Sequence, residues 1–86
     1  MVNIVFSEKF VAQFESLPLK IQNVAHKKIE IFAANPKHSS LKTHKLKGPL
    51  QGYFSFSVDY DVRIVFQYKE KGTTHFLKIG SHEVYR

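Results

Sequence analysis

The stretch Gly52-Tyr53-Phe54-Ser55-Phe56-Ser57-Val58-Asp59-Tyr60-Asp61-Val62-Arg63-Ile64-Val65-Phe66-Gln67-Tyr68 decides the fold. From Tyr53 the pattern has period two. Phe54, Phe56 and Val58 fall on one face, with Tyr53, Ser55 and Ser57 on the other. Asp59-Tyr60-Asp61 is turn-forming, and Val62, Ile64, Phe66 and Tyr68 then alternate with Arg63, Val65 and Gln67. Alternation broken by a polar turn reads as an antiparallel hairpin with one buried face. Glu70-Lys71-Gly72 turns the chain again, and Thr74 to Gly80 supplies a further strand.

Upstream the period changes. Val2, Ile4 and Phe6 predict a short first strand, and Ser7 is a plausible N-cap with Glu8 in the first turn, where the helix dipole favours an anion. Phe10, Val11, Phe14 and Leu17 follow at helical spacing until Pro18. A second helix begins near Leu19 with the stripe Ile21, Val24, Ala25, Ile29, Phe32 and Ala33, and Asn35-Pro36 stops it. Such a stripe is core-forming. Residues 37–45 read as a basic connector without periodicity, and residues 46–52 as a turn entering the meander. The expected architecture is an α+β single domain over residues 1–86, in the order β-α-α-β-β-β, with a helical hairpin packed on a mainly antiparallel sheet.

Composition narrows the function. The chain of 86 residues is 43% hydrophobic and 14% aromatic, which excludes a disordered or fibrous chain. No apolar run approaches the roughly 20 residues of a membrane span. The N-terminus lacks the basic start of a secretion signal, so the expected location is the cytoplasm. With no cysteine there is no disulfide, thiolate nucleophile or cysteine zinc site. The five histidines (His26, His38, His44, His75 and His82) form no helical i, i+4 pair of the metalloenzyme kind, and no nucleophile elbow or phosphate-binding glycine loop is present. No cofactor or metal is expected.

Charge is uneven. Thirteen Lys and Arg against seven Asp and Glu give +6, and residues 35–50 hold Lys37, Lys42, Lys45 and Lys47 with no acid. A block of cations without counter-ions attracts polyanions, although a solvated basic loop would look the same. At the ends and outward face of the meander stand His44, Lys45, Lys47, Arg63, His82 and Tyr85. Histidines exchange protons near neutral pH, Lys and Arg hold phosphate, and tyrosine stacks or donates a hydrogen bond. These side chains suffice for metal-free RNA cleavage by the 2′-hydroxyl. Any basic domain, however, presents such residues at strand ends.

Four motifs in order add to this. Leu41-Lys42-Thr43-His44-Lys45-Leu46-Lys47-Gly48, Gly52-Tyr53-Phe54-Ser55, Arg63-Ile64-Val65-Phe66 and Ile79-Gly80-Ser81-His82-Glu83-Val84-Tyr85 resemble the RelE/ParE toxin superfamily, particularly the YafQ and YoeB branches of its RelE/StbE-type mRNA interferases. The resemblance covers nearly the whole chain. It implies the toxin of a type II toxin–antitoxin system, an endoribonuclease that cuts mRNA in the ribosomal A site and is silenced by an antitoxin in a hetero-oligomer.

By the same resemblance, His44 corresponds to a catalytic histidine, Arg63 to a phosphate-stabilising arginine and His82 to a general acid. Lys45, Lys47, Asp61 and Tyr85 correspond to residues that hold RNA or close the site. This chain departs from the YafQ pattern at Ser57, where a further histidine stands, and at Arg63, which that branch usually lacks. His44 is therefore the expected base, with Glu83 the alternative. Two other readings remain at this stage. One is a ParE-like gyrase poison, whose relatives usually lack the histidines. The other is a non-catalytic RNA- or antitoxin-binding module using Tyr53 and Tyr85 as stacking surfaces.

Overall fold

A computed structural model describes residues 1–81 and 84. Strand β1 (Asn3–Phe6) leads into helix α1 (Glu8–Glu15) and helix α2 (Leu19–Ala34), followed by strands β2 (His44–Lys45), β3 (Phe54–Ser57), β4 (Arg63–Glu70) and β5 (Thr73–Gly80). The five strands form one sheet in the order β1-β5-β4-β3-β2. Every pairing is antiparallel except β1 with β5. The expected α+β architecture is observed with one strand more than the sequence pattern indicated.

The helix boundaries follow local chemistry. Ser7 caps α1, its Oγ accepting from the Phe10 amide at 2.9 Å, and Glu8 sits in the first turn. Pro18 stands at the start of α2 with no side-chain cap of its own, and Asn35, in extended backbone, ends it. The core lies between the helices and one sheet face. Phe32 of α2 is fully buried, stacked on Phe56 at 5.3 Å and edge-on to Phe66 and Phe76 at 5.0 and 5.1 Å. Offset and edge-to-face rings of this kind add to the burial itself. Ala25, Phe10 and Ile64 complete the centre. Val11, expected in the α1 stripe, is instead 44% exposed, because Phe10 and Phe14 already face the core from that helix.

Two expectations are corrected. The segment 37–45 is not a featureless connector. Ser39–Leu41 forms a 3-10 turn that buries Leu41 completely, and His44–Lys45 pairs with β3 as the sheet's outermost strand. Local periodicity could not reveal a strand of two residues whose partners lie eleven and nine positions away. The sheet face away from the helices is also not uniformly polar: Ser55 and Val65 are buried there. Among the described residues, no helix is long and apolar enough to cross a membrane.

Candidate functional site

The face opposite the helices is organised by strand register. His44 lies across from Ser55, Ser55 from Val65, and Val65 from Lys78, so four strands contribute one residue each to a transverse row. A second row, Ser57–Arg63–Gly80, runs beside it. Paired residues share a face, so His44, Arg63 and Lys78 are brought to one side of the sheet.

Lys78 reaches that face through a bulge. Val65 pairs with Lys78 but Phe66 pairs with Phe76, leaving Leu77 as an extra residue in β5. Strict alternation from Thr74 and Phe76 would have driven Lys78 into the core; the inserted residue turns it outward. Helix α1 satisfies the backbone groups on both sides of Lys78. The Ser7 hydroxyl donates to the Leu77 carbonyl at 2.8 Å, and the Gln13 Oε1 accepts from the Ile79 amide at 3.0 Å. Sequence reasoning missed Lys78. The available signal was a lysine at a core position of an alternating strand, which a bulge resolves.

His44 is exposed on the edge strand with both ring nitrogens engaged. Nδ1 lies 3.3 Å from the Lys42 carbonyl and Nε2 3.3 Å from the Ser55 Oγ. A carbonyl only accepts, so in the neutral ring the proton sits on Nδ1 and Nε2 is the acceptor. This tautomer presents Nε2 as a base nitrogen, with the buried Ser55 hydroxyl as donor to it.

Arg63 folds back over the β3–β4 turn, its Nη1 donating to the carbonyls of Asp59 at 3.0 Å and Tyr60 at 3.3 Å. The turn itself is closed by Asp59, whose Oδ1 accepts from the Asp61 and Val62 amides. A guanidinium carries donors on three nitrogens, so Arg63 retains donor capacity on Nε and Nη2 beyond these contacts. Asp61 is exposed in that turn, two residues before Arg63, with its amide donating to the Asp59 Oδ1.

Lys45 alternates with His44 and lies across from Phe54. It lines a separate hollow of about 570 Å³ with Lys47, Tyr53 and Phe54. The catalytic candidate and the two lysines therefore flank the same edge strand from different sides. Between them and Lys78 a shallow groove of about 340 Å³ has an apolar floor of Val65 and Val84 and a rim of Lys9, Leu50, Tyr53 and Lys78. No carboxylate is among its described lining residues. Val84 seats against Gly80 so closely that a Cβ there would meet its Cγ1 at 2.9 Å. His82 and Tyr85, expected as general acid and closing aromatic, and Glu83, the alternative base, lie outside the described residues. Among the described residues, no group of three His, Asp or Glu could hold a metal ion.

Comparison of the whole fold is decisive about its class. The structure matches YafQ from E. coli with a TM-score of 0.79 at 17% identity, over 99% of this chain and 98% of that one. The chain has the RelE-type toxin fold. A metal-bound toxin from Helicobacter pylori matches at 26% identity and TM-score 0.74 over the full length of both chains. The toxin in the heterotetrameric YoeB–YefM toxin–antitoxin complex of Staphylococcus aureus matches at 20% identity and TM-score 0.75, over 95% of this chain and 98% of that one. No family profile and no curated protein matches the sequence itself. The likeness to YafQ- and YoeB-type toxins expected from four short motifs is thus borne out at the level of the fold.

Proposed function

We propose that this chain is the toxin of a type II toxin–antitoxin pair and acts in the cytoplasm as an endoribonuclease that cuts mRNA in the ribosomal A site. The observation that carries the reading is the His44 ring, held as an Nδ1–H tautomer on a face to which the described residues Arg63 and Lys78 bring positive charge. The chemistry needs a base, an acid and cations, and no metal ion. His44 Nε2 takes the proton of the 2′-hydroxyl as that oxygen attacks the adjacent phosphorus. Arg63, on the His44 face, stabilises the charge on the phosphoryl oxygens, while Lys45 and Lys47 hold the RNA backbone on the other side of the edge strand. The bond from phosphorus to the 5′-oxygen breaks as His82 protonates the leaving oxygen, giving a 2′,3′-cyclic phosphate and a 5′-hydroxyl. In this reading Tyr85 closes the site and Asp61, exposed in the turn that Asp59 closes, meets the RNA beside Arg63.

An antitoxin partner is supported by the fold's occurrence in a toxin–antitoxin complex and by the +6 charge, which suits an acidic segment laid across the site. The test is primer extension on a defined mRNA with purified 70S ribosomes, comparing wild type with His44→Ala and His82→Ala. Stops at A-site codons that vanish in both variants are the expected result. Stops of undiminished strength in either variant remove that residue from the chemistry. No stops with wild type, together with inhibited gyrase supercoiling, would replace the reading with the ParE-like one.

A further inference from the structure

A second hollow, of about 420 Å³, lies on the helix side of the same edge strand. It is formed by Lys37, His38, Lys42 and Thr43 on one wall and by Phe54 and Tyr68 on the other. Tyr68 is 47% exposed, although its ring is held edge-on by Phe54 at 5.1 Å and by Phe66 at 5.4 Å. The His38 Nδ1 accepts from the Ser40 amide at 3.1 Å, which leaves the proton of the neutral ring on Nε2 as a donor. Lys42 has φ of 52°, the one left-handed residue other than glycine among those described. Glycine or asparagine would adopt that backbone with less strain, so a lysine there places an ammonium group at a conformationally expensive position. No carboxylate is among the described lining residues, and Lys42 and Thr43 run directly into His44.

We propose that this hollow is an RNA subsite, in which one base stacks on Tyr68 while neighbouring phosphates pair with Lys37 and Lys42. It rests on the RNA-cleaving role of the His44 face. A rigid half-exposed aromatic flanked by lysines is the arrangement by which proteins hold single strands, with stacking supplying affinity and the cations tracking the backbone. His44 and the hollow lie on opposite sides of the edge strand, so the subsite would grip the RNA where it passes round that edge, away from the nucleotide that reacts. An acidic peptide could use the lysines but has no call on the tyrosine's ring face.

The test uses the purified full-length protein and a fluorescein-labelled decamer of 2′-O-methyl RNA, which binds without being cut. Tyr68→Leu keeps apolar bulk against Phe54 and Phe66 and removes the aromatic ring. Lys42→Gly removes the charge and relaxes the backbone. Each is expected to weaken binding at least about fivefold, the low end of one stacked base. Lys42→Gly should also reduce the slope of log affinity against log salt by about 0.7, the release from one phosphate of a single strand. Tyr68→Phe, which keeps the ring, is expected to bind as wild type does.

Binding unchanged in both Tyr68→Leu and Lys42→Gly, with wild type still binding and cutting ribosomal mRNA, overturns the subsite and leaves the proposed activity standing. Wild type that neither binds the decamer nor cuts mRNA on ribosomes overturns both. Variants that keep RNA affinity but lose the antitoxin would assign the hollow to the protein partner, against the proposal.

Discussion

Removing one hydroxyl tests how helix α1 holds the reactive face in place. The Ser7 Oγ makes two bonds of opposite sense: it accepts from the Phe10 amide at 2.9 Å and donates to the Leu77 carbonyl at 2.8 Å. Ser7→Ala loses the N-cap, at about 1 kcal/mol. It also leaves a part-buried carbonyl unpaired at the bulge, at about 1–2 kcal/mol more. The expected loss is about 2–3 kcal/mol, a large share of the about 4–13 kcal/mol expected for 86 residues. In thermal terms this is a fall in Tm of about 10–20 °C. Urea unfolding followed by circular dichroism measures it. Ser7→Asp separates the two parts, because a carboxylate still caps the helix but cannot donate to Leu77. It should recover the cap contribution and none of the other. A loss below about 0.5 kcal/mol in Ser7→Ala, or full stability in Ser7→Asp, would refute the view that the Ser7–Leu77 bond secures the bulge.

The same structure makes three further predictions. Thr74 Oγ1 is buried without a hydrogen-bond partner, so Thr74→Val should be neutral or raise stability by about 1 kcal/mol in the same urea assay. Gly80→Ala forces its new methyl against the buried Val84 Cγ1 at 2.9 Å and should cost about 1–3 kcal/mol, measured by thermal unfolding. Burial raises the Tyr68 hydroxyl above its ordinary 10.0. The folded state therefore keeps that proton longer than the unfolded chain, and stability should fall as pH rises past about 10. Tyr68→Phe should flatten that decline in unfolding curves measured across pH 9–11.

The sequence alone determined those features that depend on near neighbours. Ser7 and Pro18 bounded α1, Asn35 ended α2, and the 53–68 alternation produced the β3–β4 hairpin, because caps, proline geometry and side-chain period act over a few residues. His44 and Arg63 stood out for the same reason, as polar groups within recognisable short motifs. Tertiary structure decided what rests on distant pairing. The strand at His44–Lys45 exists only because β3 offers it hydrogen bonds, and Leu41 becomes core only once α2 and the sheet enclose it. Val65 and Ser55 lie on the nominally outward face yet are buried there. Lys78 joins the site through an extra residue in β5 that α1 secures from more than sixty positions away. A bulge shifts every following side chain to the other face, and its stability is set by bonds across the fold, so local periodicity carries no record of it.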